Sequence, residues 1–361
     1  MAYRLLYKLV LRRIPPETAH SLAVTSLRAA APLIRRRPSD LLGVDALGLR
    51  FRSPLGVAAG LDKNGEWFTA LGAIGFGFAE LGTVTPRAQA GNDKPRIARV
   101  LADEGLVNRM GFPNLGADAL AARLASRHIS VPGGRAADMR LGINLGKNRD
   151  TPLERAAEDY AAGARVLGAL ADYVVINVSS PNTPGLRALE SVEALRPIID
   201  AVCAELPAGK PLLVKISPDL ADADVDAVAE LAVSSGLAGV IATNTTVERE
   251  VLSGEGRAAV ASFDGGGVSG PPLAPRSLEV LARLYSGLRG SGVIVISVGG
   301  ITTADDVWQR ILAGATLVQA YTGFIYGGPG WPAQINRELA ARVKVAGATS
   351  ISELIGSGAP A

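Results

Sequence analysis

From about residue 54 the chain repeats one pattern: a short apolar, β-rich run, glycine or polar residues at its end, then a stretch with helical spacing. The runs are PLGVAAG (54–60), GFAELGTVT (77–85), RLGINLG (140–146), YVVINVSS (173–180), PLLVKIS (211–217), AGVIATNT (238–245), VIVISVGG (293–300) and TLVQAYTG (316–323). Near-continuous apolar runs alternating with helices predict parallel strands covered on both faces. Eight such units predict an α/β fold, a (β/α)8 TIM barrel, over an open doubly wound sheet. Two connections are long. Residues 86–139 contain ARVLADEGLVNR, which reads as a hairpin about Asp103-Glu104-Gly105, and residues 246–275 are rich in Gly and Pro. Long excursions at the active face of a barrel serve as lids or walls.

The pattern ahead of the repeat is helical. Tyr3, Leu6, Tyr7 and Val10 form an apolar face, while Arg4, Lys8 and Arg12 recur every four residues. A second helix is predicted to start after Pro15-Pro16 and end near Arg35-Arg36-Arg37-Pro38, with Leu22, Ala23, Leu27, Ala30 and Ile34 apolar. The division expected is therefore an N-terminal helical extension, 1–40, and a barrel, 41–361. Cations interrupt the first apolar run and no small-residue cleavage site follows, unlike a signal peptide. No stretch reaches the ~20 uninterrupted apolar residues of a spanning helix. Two short amphipathic helices with basic flanks suit insertion into one leaflet of an anionic membrane; they also suit a helical pair docked on the barrel, or a dimer contact.

Charge sharpens this picture. Residues 1–37 carry eight basic side chains against Glu17 alone, a net +7, so with the whole chain at +3 the remainder carries −4. The basic character is local, which argues for an anionic partner at the N-terminus and against a general nucleic-acid binder. Cys203 is the single cysteine, which rules out an internal disulfide framework and suits a reducing compartment. His20 and His128 are the only histidines, and no CxxC or HExxH spacing occurs, so no metal site is expected.

Catalytic groups of a barrel sit at the C-terminal strand ends. Those ends are Lys63, Thr83, Asn144, Asn177 and Ser180, Lys215, Thr243 and Asn244, Gly299 and Gly300, then Tyr321 and Thr322. Glycine-rich turns after the last two strands are where barrels bind phosphate, and Gly270 could join them. GGGVSG (265–270) formally matches a dinucleotide fingerprint, but no clear strand precedes it, prolines follow, and no acid lies about 20 residues on. A phosphate site with two rim lysines suggests an anionic cofactor and an anionic substrate. Asn108, Asn177, Asn182 and Asn244 add amides that match a planar ring bearing both N–H and C=O groups.

The motifs AAGLDKNGE (58–66), ELGTVTP (80–86), NRMGF (108–112), GINLGKN (142–148), INVSSPNTPG (176–185), VKISPDL (214–220), ATNTT (242–246), SVGGI (297–301) and VQAYTGFIYGGPG (318–330) occur in the order found in dihydroorotate dehydrogenases. The resemblance covers about residues 40 to 335. The N-terminal PPETAH with its flanking helices resembles the membrane-associated, quinone-using class of that family.

The resemblance implies oxidation of dihydroorotate to orotate in pyrimidine biosynthesis, with FMN accepting hydride and a membrane quinone accepting the electrons. Ser180 matches the family's base, which takes a proton from C5 while hydride leaves C6. Soluble members place cysteine there, so serine also points to the quinone class. Thr183 would pass the proton outward. Lys63 would pair with the substrate carboxylate, with Asn108, Arg109, Met110, Gly111, Phe112, Asn177, Asn182, Asn244 and Thr245 completing the substrate site. Ala59, Gly60, Leu61, Asp62, Lys63, Thr83, Asn144, Asn177, Lys215, Thr243, Gly270, Gly299, Gly300, Tyr321 and Thr322 would form the FMN site. There, by the same resemblance, Lys215 would lie near flavin N1 and O2 and favour the reduced form. His20, Arg99 and Tyr321 match positions lining the family's quinone tunnel. The expected location is the cytoplasmic face of a bacterial inner membrane, held peripherally through residues 1–37. Three rivals remain open on residues alone: another FMN barrel such as a tRNA dihydrouridine reductase, a non-redox phosphate-binding isomerase, and a non-enzymatic peripheral membrane protein.

Overall fold

The computed structural model describes residues 2–34, 36–129 and 139–359, without the side chains of Ala2, Arg4 and residues 127–129. Eight parallel strands close into a barrel. In chain order they are Leu55–Val57, Phe78–Val84, Arg140–Leu145, Tyr173–Asn177, Leu212–Ile216, Gly239–Ala242, Ile294–Val298 and Leu317–Ala320, called barrel strands 1 to 8 below. Each pairs with its chain neighbour, and strand 8 closes on strand 1 through Val318↔Leu55 and Ala320↔Val57. The expected (β/α)8 barrel is therefore the observed fold. Strands 2, 4, 5 and 6 are buried at every residue, which is why they read as continuous apolar runs rather than alternating ones.

Helices follow the strands and hide their outer faces. Ala304–Leu312, after strand 7, starts with a capping box in which Thr303 accepts from the Asp306 N–H and Asp306 accepts in return. Inside the barrel Phe78 stands edge-on to Phe51 at 5.3 Å, and Gly56 of strand 1 lies against the Phe78 ring.

The predicted hairpin is present as antiparallel strands Ile97–Val100 and Gly105–Asn108, joined through the turn at Leu101–Asp103. The sequence reading missed a third strand, Gly267–Ser269, which pairs with Gly105–Asn108. It falls inside GGGVSG, where three residues flanked by glycine carry no strand-like run. The two long excursions thus form one small sheet.

At the N-terminus, helices α1 (Ala2–Leu9) and α2 (Pro16–Ala30) are present. The second ends earlier than expected: a 3-10 turn, Ala31–Leu33, follows Ala30, and its Pro32 ends the α-helical ladder. Arg35 of the predicted helix end lies outside the described residues. The expected apolar face of α1 is also divided. Tyr7 is buried and packs on Tyr326 at 5.1 Å, and Tyr3 donates to the Ile325 carbonyl at 2.7 Å. Leu6 and Val10, with Leu5 and Leu9, are exposed. Among the described residues no helix is long and apolar enough to cross a membrane.

A Cβ on Gly56 would lie 2.4 Å from the Phe78 ring, which is already wedged against Phe51. Gly56→Ala should therefore destabilise the barrel by about 1–3 kcal/mol through overpacking. Urea denaturation checks this, and an unchanged midpoint would mean that the ring can move aside.

Candidate active site

The C-terminal strand ends surround a cavity of about 160 Å³. Strand 1 supplies Ala59, Gly60 and Lys63, strand 2 supplies Thr83, and the end of strand 4 supplies Asn177, Ser180 and Asn182. Lys215 enters from strand 5, Thr243, Asn244 and Thr245 from strand 6, and Gly270 from the loop beyond it. Gly299, Gly300, Tyr321 and Thr322 border the cavity from strands 7 and 8, and the hairpin contributes Asn108, Met110, Gly111 and Phe112. Parallel strands bring these distant segments together because all their C-terminal ends open on one side.

Five expected residues are placed differently. Leu61 faces a second cavity, described below. Asp62 is buried and accepts from the Glu66 and Trp67 N–H groups at 2.7 and 3.0 Å, so it shapes the turn after strand 1. Asn144 lies one layer beneath the cavity, accepting from Thr83 Oγ1 at 2.5 Å and from Asn177 Nδ2 at 2.9 Å. Arg109 is turned aside: it donates to the Pro95 carbonyl at 3.2 Å and lies over the Phe263 ring at 5.1 Å. Thr183 is buried but does not line the cavity.

The amides are oriented by one another. Asn177 Oδ1 accepts from Ser179 Oγ at 3.0 Å, Asn244 Nδ2 donates to Ser179 Oγ at 3.0 Å, and Asn182 Nδ2 donates to Asn108 Oδ1 at 3.2 Å. Asn182 Oδ1 and Thr245 Oγ1 remain buried with no partner. Unpaired buried polar atoms are expensive, so two of them at a cavity wall mark positions for a ligand's hydrogen bonds.

The cavity is cationic, and burial moderates both of its lysines. Lys63 donates to the Gly60 carbonyl at 2.5 Å, and its pKa is lowered to about 8, chiefly by burial and then by Arg96. Lys215 is also pushed down by burial and held up by Glu80, whose Oε1 stands 3.9 Å away. The glycine turn after strand 7 rests on buried Arg310, which donates to Ser297 Oγ at 2.8 Å, Ser277 Oγ at 2.9 Å and the Gly299 carbonyl at 2.6 Å. Glycine-turn N–H groups, a fixed cation and unpaired amides form a donor set that fits a phosphorylated, ring-bearing group.

The second cavity, about 530 Å³, lies between α1, α2 and the barrel. Its wall is mainly apolar, including Leu22, Leu27, Leu61 and Phe324, and His20, Arg99 and Tyr321 all reach it. His20 stands edge-on to Trp67 at 5.5 Å, and burial, reinforced by Lys63, lowers its pKa to about 4. Arg99 donates to the Ile14 carbonyl at 2.8 Å. Glu17 of α2 pairs with Arg96 at 2.8 Å. Lys63, Ile97, Leu106 and Tyr321 border both cavities and so form their common wall.

Several organising residues escaped the sequence reading. Glu80 and Gln319 sit inside the barrel, where single polar residues within apolar runs were the available signal. Asn92 Nδ2 donates to the Asn182 and Arg109 carbonyls at 3.1 and 3.0 Å. Arg187, just past Pro184-Gly185, binds the Ser179 and Thr245 carbonyls at 3.1 and 2.7 Å and Asp219 at 2.6 Å. Among the described residues no group of His, Cys, Asp and Glu could hold a metal ion.

A barrel whose cationic, amide-lined pocket backs onto an apolar cavity has the layout of an enzyme with two different substrates. A family profile described as Dihydroorotate dehydrogenase matches residues 41–343, and the chain belongs to that family of flavin-dependent oxidoreductases. The chain is 53% identical over 355 residues to the dihydroorotate dehydrogenase (quinone) of Mycolicibacterium vanbaalenii, covering 96% of this chain and 97% of that protein. It is 51% identical over 368 residues to the protein of the same name from Rhodococcus erythropolis, covering 99% of each. Among solved structures, the DHODH of Eimeria tenella in complex with ferulenol aligns with a TM-score of 0.87 at 38% identity, covering 95% of each chain.

Glu190 ends the turn that carries Arg187 and accepts from the Ser217 N–H at 2.6 Å. Burial, outweighing that hydrogen bond and Arg187, raises its pKa from 4.5 to about 8. The fold favours the neutral acid, so its contribution is complete below about pH 4.5 and is lost as pH rises through about 8. Glu190→Gln stays neutral and should lose less stability between those pH values, by up to about 5 kcal/mol. Urea midpoints at both ends of the window test this; parallel pH dependence in the two proteins would refute it.

Proposed function

We propose that this protein oxidises dihydroorotate to orotate with FMN as hydride acceptor and passes the electrons to a membrane quinone, a step of pyrimidine biosynthesis. The observation that carries the reading is the pair of cavities, one cationic and amide-lined, the other apolar, sharing a wall at Lys63 and Tyr321. When bound, FMN supplies a two-electron acceptor able to take hydride from a carbon centre and to be reoxidised by a quinone.

The chain's own groups bind and orient the substrate. Lys63 pairs with the substrate carboxylate, and its short bond to the Gly60 carbonyl aims it. Asn108, Asn177, Asn182, Asn244 and Thr245 clasp the ring, with Asn182 Oδ1 and Thr245 Oγ1 gaining the partners they lack. Phe112 and Met110 close the hairpin side. Ser180 takes the proton from C5 as hydride departs from C6. Serine is a weak base, so removal of water and concerted hydride loss must assist it. Ser180 is buried at the cavity wall, and its Oγ accepts the Asn182 N–H at 3.3 Å. Thr183, three residues along, passes the proton outward. Arg109 and Asp62 support loop geometry rather than touch substrate or cofactor. The glycine turns would hold the FMN phosphate, and Lys215 would supply the cation that favours negative charge on its ring.

The quinone head enters the apolar cavity toward His20, Arg99 and Tyr321. The extension, residues 1–40, supplies access to it, and residues 41–361 form the catalytic barrel. The exposed Leu5, Leu6, Leu9, Val10 and Leu22 beside Lys8, Arg12 and Arg28 support peripheral adsorption to an anionic leaflet. The proposed location is the cytoplasmic face of a bacterial inner membrane.

An anaerobic absorbance spectrum of the purified protein tests the reading. Its flavin bands should bleach with dihydroorotate and recover with a quinone but not with fumarate or NAD⁺; bands that stay oxidised would discard the substrate. Ser180→Ala should slow bleaching by about 10²–10⁴-fold with flavin retained. Bleaching at the unmodified rate would remove Ser180 from its role.

A further inference from the structure

Beneath the cavity lies a carboxylate with no part in the chemistry above. Glu80, from barrel strand 2, is fully buried. Asn144 Nδ2 donates to its Oε1 at 2.7 Å and Gln319 Nε2 to its Oε2 at 2.6 Å. Lys215 Nζ stands 3.9 Å from Oε1. Strands 3, 5 and 8 therefore each direct a donor group at one residue of strand 2.

Gln319 completes a pair of amide donors on the two Glu80 oxygens. Its amide nitrogen faces the carboxylate although its own Oε1 is left buried without a partner. A neutral acid would offer O–H to that oxygen. A donor facing each oxygen is the arrangement that suits a carboxylate anion. Lys215 lines the cavity above, and burial weakens its hold on its proton while Glu80 strengthens it. The neighbouring titratable group from strand 4 is Tyr173, whose phenol burial keeps neutral. Lys63 lines the same cavity. Among the described residues, Glu80 is the carboxylate facing Lys215.

The geometry points to Glu80 as the positioning residue that keeps Lys215 cationic and aimed at the cavity. The charge that favours reduced flavin is then held by an ion pair inside the barrel rather than by solvent. This rests on the flavin reading of the cavity. At such a separation in a buried site, the attraction is several times thermal energy. Glu80 would act through Lys215 and touch neither substrate nor flavin.

The test is the reduction potential of the bound flavin, titrated from about pH 7 to 9.5 in the holoenzyme. Glu80→Gln keeps the residue's shape, and the Gln319 amide can turn to offer its unpaired oxygen to the new NH2. Compared with the unmodified enzyme, the variant's potential should acquire an extra downward break. Above that break the cationic fraction of Lys215 falls about tenfold per pH unit. Subtraction of the two curves cancels any common contribution from Lys63, whose own pKa is about 8. The extra break should vanish when Lys215→Met is added. An unchanged slope in Glu80→Gln, or a break that survives Lys215→Met, overturns the proposal. Bleaching of the unmodified enzyme by dihydroorotate upholds the cavity reading independently, so either result would sink Glu80's role alone.

A second measurement needs no change at Glu80. The chain has seven lysines, few enough to follow by Cε resonances, with Lys215 assigned by its loss in Lys215→Met. Lys215 should hold its ammonium shift beyond the point, about 8, at which Lys63 titrates. Titration of Lys215 together with Lys63 also overturns the proposal.

Discussion

A parallel sheet that closes on itself has no exposed edge, and closure sends side chains from all eight strands into one interior that must be filled. In this protein Phe78, backed by Phe51, fills part of it, while Glu80, Asn144 and Gln319 form a hydrogen-bonded layer that faces Lys215. Low dielectric strengthens the hydrogen bonds that hold Glu80 between two amides, and leaves Gln319 Oε1 as the layer's one unpaired amide oxygen among the described residues. That layer in turn supports the cavity floor: Asn144 holds Thr83 and Asn177, and Glu80 faces Lys215.

The rest of the site is assembled from outside the barrel. The hairpin and Gly267–Ser269 form a sheet that brings Asn108 to Asn182 and places Ile97 and Leu106 between the two cavities. Arg187 ties the end of strand 4 to loops after strands 5 and 6, and Arg96 ties α2 to the hairpin through Glu17. Arg96 also donates to the Asn92 carbonyl at 3.1 Å, and Asn92 binds the Asn182 carbonyl. The helices beside the apolar cavity and the amides of the polar one therefore belong to one hydrogen-bonded structure.

Legibility followed physical range. The eight strands were readable because burial on both faces demands uninterrupted apolar residues, as in YVVIN and LLVKI. The rim was readable because each strand must stop being apolar where it meets the cavity. Residues defined by a distant partner were not. Arg109 sits between two cavity-lining positions in NRMGF, yet its guanidinium finds Pro95, Asp264 and the Phe263 ring instead. Glu80 showed no role within its own strand run because its partners come from strands 3, 5 and 8. α2 ends before the arginine run because Pro32 lacks the N–H that would continue the helical ladder.

Periodicity along the chain was enough to determine the barrel, its polar end and the presence of an amphipathic, basic extension, since these depend on neighbours a few residues apart. Tertiary structure alone decided which polar residues face a ligand and which face one another. Asn144 and Asn177 both end strands; closure puts one under the cavity and the other at its wall. It also divided the apolar face of α1, burying Tyr7 against Tyr326 and leaving Leu6 and Val10 exposed. A hydrophobic side chain carries its preference for burial in the sequence, but its burial partner is supplied only when remote elements arrive beside it.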